Sequence, residues 1–64
     1  MRLTIVIDTD NAAFGENEDS MASETSRILR ALSEAVLYEG SAIDGRYLMD
    51  INGNKVGQIT ITRR

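Results

Sequence analysis

Apolar and polar side chains alternate over residues 3–8, which read LTIVID. Alternation among β-branched residues predicts a β-strand with one buried side. We expect the odd-numbered side chains, Leu3, Ile5 and Ile7, to be buried, and the even-numbered ones to face away from the core.

A helical pattern follows from Ser20 to Glu39, because apolar residues recur there at spacings of three, four and seven. Gly40 is expected to end this helix as a C-terminal cap. The start is open by one turn, since several residues could cap it: Asn17, Asp19, Ser20 and Ser23. The expected buried stripe is Met21, Ile28, Leu32, Ala35 and Val36, with Leu29 beside it, and the opposite face carries Ser26, Arg30, Ser33 and Glu34.

Two further strands are predicted, at Arg46–Ile51 and Lys55–Thr62. The element order is then β-α-β-β in a single small domain spanning residues 1–64. One helix packed on a three-stranded antiparallel sheet is the simplest α+β arrangement that buries these stripes. Because the third strand reverses the second, we expect it to lie centrally, antiparallel to both neighbours.

The turn between these strands contains Asn52-Gly53, which is typical of a two-residue hairpin loop. That loop would turn the larger side chains Tyr47 and Met49 away from the helix. A three-residue loop, in which Asp50 pairs with Asn54 and Gly53 takes a left-handed conformation, turns them towards it. We therefore predict the three-residue loop, with Leu48 on the outer face.

Composition narrows the classes of function. The 64 residues include no Cys and no His, so disulfides, thiolate metal sites and histidine-based catalysis are all excluded. The first residues lack the apolar core of a signal peptide, and no stretch is long enough to span a membrane. The net charge of −3 argues against a general nucleic-acid binder.

The polar stretch starting at Asp50 suggests a calcium loop, but the EF-hand pattern fails. With Asp50 as position one, Lys55 stands where glycine is needed and Ile61 where glutamate is needed. Lys55 is also the only lysine, which leaves a serine nucleophile little to work with. We expect no enzymatic activity and no cofactor.

An acidic segment joins the first strand to the helix and contains Phe14, which is expected to tuck into the edge of the core. Its carboxylates could form a cage for Mg²⁺ or Ca²⁺, a solvated loop with helix-capping acids, or a patch that meets a basic protein surface or mimics nucleic-acid phosphates. The residues concerned are Asp8, Asp10, Glu16, Glu18 and Asp19.

Two other surfaces are candidates for binding. Arginines that could touch phosphates, or simply solvate the surface, are Arg27, Arg30, Arg46, Arg63 and Arg64. The sheet face away from the helix is β-branched and almost uncharged, and is either a dimer face or a tolerated solvent face. Its predicted members are Thr4, Val6, Val56, Gln58, Thr60 and Thr62.

Three segments together, IDTDNAAF, ILRALSEAV and LMDINGNKVG, resemble small proteins encoded by bacteriophages and prophages. The resemblance covers most of the chain, and its motifs are structural. It implies a chain that works in the cytoplasm of a host bacterium, where such accessory proteins often act on host machinery, as anti-CRISPR inhibitors do.

These observations favour a non-enzymatic phage or mobile-element protein that binds a host protein, as a counter-defence inhibitor does. The alternatives are a small nucleic-acid-binding protein and an oligomeric structural or assembly component. The residues expected to bind a partner are Asp10, Glu16, Glu18, Asp19, Arg27 and Arg30.

Overall fold

A computed structural model describes residues 1–63 of the chain. It contains the predicted elements in the predicted order. They are β1 (Arg2–Ile7), α1 (Glu18–Glu39), β2 (Tyr47–Met49) and β3 (Lys55–Thr62), with 3₁₀ turns at Ala12–Phe14 and Gly40–Ile43.

The three strands form one sheet in the order β1-β3-β2, and both outer strands run antiparallel to β3. The predicted α+β class and the central position of β3 are therefore confirmed. In the part of the chain that the structure describes, no helix is both long enough and apolar enough to cross a membrane.

Local chemistry sets the ends of α1. The Asn17 side chain accepts a hydrogen bond from the Ser20 backbone N–H at 2.9 Å, so Asn17, one of the predicted caps, is the N-cap and the helix begins at Glu18. Glu18 and Asp19 occupy its first turn, where the helix dipole favours negative charge. Gly40 ends the helix with a φ of 56°, as predicted.

The core lies between α1 and the β2–β3 hairpin. Phe14, Ile43 and Ile59 are completely buried, so Phe14 packs into the core more fully than the predicted position at its edge. The other buried apolar side chains are Ile28, Leu32, Leu48 and Val56, and the partly buried ones packed on them are Ile7, Met21, Ala35, Val36 and Ile61.

Strand β1 departs from the expectation that its odd-numbered side is buried. Leu3 and Ile5 lie opposite Ile61 and Ile59 and so share their face, but they are 46% and 39% exposed. Only Ile7, at the end of the strand, packs against the core. The prediction placed Leu3 and Ile5 on the correct face but was wrong about their burial. The reason is that α1 lies over β2 and β3 and leaves most of β1 uncovered.

The hairpin turn is the predicted three-residue loop. The Asp50 N–H donates to the Asn54 carbonyl at 2.9 Å, and Gly53 has a φ of 83°. A residue with a side chain would be strained at that φ, which explains glycine at this position.

The predicted facing of β2 is nevertheless wrong. Leu48 is buried, whereas Tyr47 and Met49 are about half exposed. A bulge is the reason: Met49 pairs with Lys55 but Leu48 pairs with Gly57, which leaves Val56 as an extra residue on β3. One extra residue turns the rest of β2 over.

The bulge also corrects the assignment of Val56 to the outer face, since this side chain is buried in the core. The next residue, Gly57, lies against the backbone of β1. A Cβ atom there would fall 2.0 Å from the Val6 carbonyl oxygen, so only glycine allows β1 to approach this closely.

Candidate partner-binding site

The Asp50 carboxylate stabilises the hairpin turn by accepting hydrogen bonds from it. Its Oδ1 accepts hydrogen bonds from the N–H groups of Asn52 at 2.9 Å and Asn54 at 2.8 Å, and its Oδ2 accepts one from the Asn54 side chain. Asp50 is 4% exposed. The polar cluster that suggested calcium thus satisfies its own backbone, and its carboxylate oxygens are already used.

Glu24 ties this turn to the helix. It lies on the core side of α1, where it is 7% exposed, and its Oε2 accepts the Ile51 N–H at 2.8 Å. The same carboxylate accepts hydrogen bonds from the Arg27 Nε at 2.8 Å and Nη2 at 2.9 Å. These contacts, the bond from Arg27 first, lower the pKa of Glu24 and keep it ionised.

Arg27 is therefore engaged within the molecule. Besides holding Glu24, its Nη2 donates to the Met49 carbonyl at 3.3 Å, and the pairing with Glu24 raises the pKa of the guanidinium. Arg30, one turn later, is exposed beside Leu29. The two predicted partner-binding arginines thus differ, since Arg27 braces the hairpin and Arg30 projects into solvent.

The other arginines also differ in their surroundings. Arg46 forms a bidentate ion pair with Glu39 at the end of α1, which lowers the pKa of Glu39. Arg63 follows β3 and is exposed, and Arg64 lies outside the described residues. Two members of the predicted basic set, Arg27 and Arg46, are thus neutralised by carboxylates of the chain itself.

The predicted acidic set lies in one continuous segment at the start of α1. Asp10, Glu16, Glu18 and Asp19 are all exposed, and none forms an ion pair with a basic side chain of residues 1–63. Neighbouring Asp8 uses its Oδ1 to hold the Asp10 N–H at 3.0 Å. Nowhere in that described range do three carboxylates converge closely enough to hold a metal ion.

The turn and the helix start meet at one end of the molecule and form a shallow depression. Ile51, in the hairpin loop, is 68% exposed at its rim, and Asp19 lies beside it. The other lining residues are Ala13, Ser20, Ser23 and Glu24. We call this surface, together with the acids Asp10, Glu16 and Glu18, the acidic end.

The outer face of the sheet also differs from its predicted membership. Thr4, Val6, Gln58, Thr60 and Thr62 are exposed there as expected, whereas Val56 is absent. Tyr47 joins the face opposite Gln58, and the Lys55 ammonium lies 4.2 Å from the centre of its ring. The face is thus less neutral than its sequence suggested.

Two structural carboxylates, Glu24 and Asp50, were missed as such by the sequence interpretation. Glu24 stands one turn before Ile28 on the apolar stripe, and a charged residue in that position signals a buried partner. Asp50 precedes Asn52 by two residues, the spacing at which an aspartate caps a turn. Both signals were present in the sequence.

Comparison of the chain with protein-family models, curated proteins and solved structures finds no match. The α+β fold and the arrangement of side chains therefore carry the functional inference.

Proposed function

We propose that this chain is a non-enzymatic accessory protein of a phage or mobile element, and that it acts by binding a host protein through the acidic end. The observation that carries the proposal is the exposed Ile51 beside Asp19, one of four exposed acids at this end that have no ion-pair partner among residues 1–63. An exposed apolar side chain next to an acidic segment suits a protein surface that offers a hydrophobic pocket near basic residues.

Charge elsewhere supports this choice of surface. Glu24 and Glu39 are each paired with an arginine, and Asp50 satisfies the hairpin turn. Carboxylates engaged in this way stabilise the fold and are not available to a partner. The four acids Asp10, Glu16, Glu18 and Asp19 of the acidic end are exposed, and their negative potential would speed the approach of a basic partner.

The resemblance to small phage-encoded proteins suggests where the partner is found. An inhibitor of this size can act by occupying the nucleic-acid-binding surface of a host protein, which is basic. Counter-defence proteins of the anti-CRISPR kind belong to this functional class.

Affinity capture from lysate of the bacterial host tests the proposal. The test variant carries Asp10→Asn, Glu16→Gln, Glu18→Gln and Asp19→Asn. The matched control exchanges the same residues as Asp10→Glu, Glu16→Asp, Glu18→Asp and Asp19→Glu, which keeps every charge. We expect a basic protein to be retained by the wild type and the control, and lost with the neutral variant and with Ile51→Ser.

Circular dichroism of each variant checks that α1 is intact, because Glu18 and Asp19 also stabilise its first turn by about 0.3–1 kcal/mol each. Equal capture by the wild type and by a folded neutral variant would contradict the role of the acidic end. A wild-type chain that retains nothing above the resin background would contradict host-protein binding altogether.

A further inference from the structure

The outer edge of β1 is unpaired within residues 1–63, since the sheet order is β1-β3-β2. The Asp8 N–H donates to the Val56 carbonyl at 2.7 Å, so in this ladder the even-numbered residues of β1 point their backbone groups at β3. The N–H and C=O groups of Leu3, Ile5 and Ile7 consequently point outwards. They form an open row of donors and acceptors.

This edge lacks the features that usually protect a free strand. It is six residues long and carries no proline and no lysine, and its only charged residue is Arg2 at the very start. Natural sheets normally shorten, bulge or charge such an edge, because an unprotected one pairs with another strand.

Apolar surface accompanies the open edge on the side that faces α1. Arg27 and Leu29 flank Ile28 on the helix and project about 100° to either side of it. Arg27 reaches the hairpin, so Leu29 projects towards the β1 side, where it is 42% exposed. Leu3 and Ile5 are exposed to a similar extent. The uncovered apolar surface therefore belongs both to the strand and to the near flank of the helix.

The molecule as a whole exposes more surface than its size requires. A folded monomer of 7.1 kDa is expected to expose about 4,100 Å², whereas this chain exposes 4677 Å². The excess, about 600 Å², approaches the roughly 800 Å² that each partner buries in a specific interface.

We propose that a second copy of this chain covers the edge. In the proposed dimer β1 pairs antiparallel with β1 of its partner about a two-fold axis at Ile5, giving a continuous six-stranded sheet. Backbone direction requires odd-numbered residues to pair with odd-numbered ones, and this register pairs Ile5 with itself and Leu3 with Ile7. All three side chains then lie on one face, between the two helices.

Charge favours this register over the neighbouring one centred on Thr4. With the axis at Ile5, Arg2 of each copy lies directly opposite Asp8 of the other, and Thr4 lies opposite Val6. A shift of the axis to Thr4 would place Arg2 opposite Val6 and leave both charges without a partner.

A cysteine cross-link tests both the partner and the register. Ile5→Cys places two thiols on the proposed axis, with Cα atoms about 5.5 Å apart, which suits a disulfide. Thr60→Cys is the matched control, because it lies on the outer face of β3 and would link only two sheets packed face to face. We expect mild oxidation to convert Ile5→Cys, and not Thr60→Cys, almost completely to the covalent dimer.

Light scattering supplies the second readout. The wild-type chain is expected to give about twice the 7.1 kDa mass, whereas Ile5→Lys, which places a charge on the edge, is expected to give a single-chain mass with unchanged helical circular dichroism. Thr60→Lys should stay dimeric. If Ile5→Lys unfolds, the cross-link decides.

Several results would overturn the proposal. The first is a wild-type chain that stays monomeric up to about 1 mM, because any dimer would then have a dissociation constant weaker than that value. The second is cross-linking through Thr60→Cys instead of Ile5→Cys. The third is a folded Ile5→Lys variant that is as dimeric as the wild type. A monomer whose edge captures a strand of another protein would be among these contrary results.

Discussion

The two outer strands of this sheet differ in how far α1 covers them. Strand β2 is only three residues long, yet it is covered by α1 and braced by Glu24 and Arg27. Strand β1 is twice as long, yet Leu3 and Ile5 on its inner face remain close to half exposed and its outer edge is open. The difference teaches that burial in this molecule follows the position of the single helix and not the apolar content of the strand.

The 22-residue helix covers two strands of this sheet, and they are the two strands of the hairpin that Glu24 and Arg27 contact. Glu24 and Arg27 bind the helix to the hairpin, and most of β1 is left uncovered. In the proposed dimer the contrast disappears, because the second copy supplies the neighbour that β1 lacks.

The largest effect on stability is expected at Gly57, where β3 lies against the backbone of β1. Gly57→Ala places a Cβ against the Val6 backbone, which cannot yield as a flexible side chain would. We predict a loss of at least about 3 kcal/mol, the upper part of the usual range for overpacking, in the free energy of unfolding measured with urea. Gly45→Ala has open space around it, so it should cost clearly less, about 1–2 kcal/mol for the strain of a side chain at its φ of 83°.

A matched pair of leucines measures the contrast directly. Leu48→Ala, on the covered side, should lower the free energy of unfolding by about 3 kcal/mol, whereas Leu3→Ala should cost about 1 kcal/mol in the dilute chain because it is already 46% exposed. Equal losses in dilute solution would show that β1 is as well packed as β2, and the contrast between the outer strands would then be wrong.

The next largest effect on the free energy of unfolding is expected at the hairpin turn. Asp50→Ala removes the acceptor for the N–H groups of Asn52 and Asn54 in a buried position, which should cost about 2 kcal/mol. Asn52→Ala, an exposed change in the same loop, is the control and should have little effect. A neutral result for Asp50→Ala would mean that water replaces these bonds.

The contact of Glu24 that joins the helix to the hairpin should make the stability of the fold depend on pH. Because folding lowers the pKa of Glu24 below its ordinary value of 4.5, its contribution is fully present above that pH and is lost as the pH falls through the lowered pKa. Glu24→Gln should therefore be less stable than the wild type at neutral pH, and the gap should narrow as the pH falls through the lowered pKa of Glu24. Glu34→Gln, on the solvent face, is the control.

The sequence allowed the elements, their order, the central position of β3, the helix cap at Gly40 and the hairpin loop to be predicted, because each depends on local periodicity or turn chemistry. The facing of β2 could not be predicted, since it depends on the bulge at Val56. This bulge consists of one extra residue and has no local sequence signature. Exposure of Leu3 and Ile5 depends on where α1 lies, and that is settled by long-range contacts of Glu24 and Arg27.

Of the predicted partner-binding residues, the acids are exposed as a solvated patch would be, whereas Arg27 is bound within the fold. Charge and composition identify residues that could meet a partner. They do not show which of them the chain already uses, because an ion pair such as Glu24–Arg27 depends on burial of the acid as well as on spacing.

Amide hydrogen exchange along β1 tests the central claim most directly. In a monomer the N–H groups of Thr4 and Val6 are bonded to β3 and those of Leu3, Ile5 and Ile7 face water, so protection should alternate. The dimer predicts that the three odd-numbered amides become as slow as their neighbours at high chain concentration and fast again on dilution. Odd-numbered amides that exchange rapidly at every concentration would contradict the claim that a second copy completes the sheet.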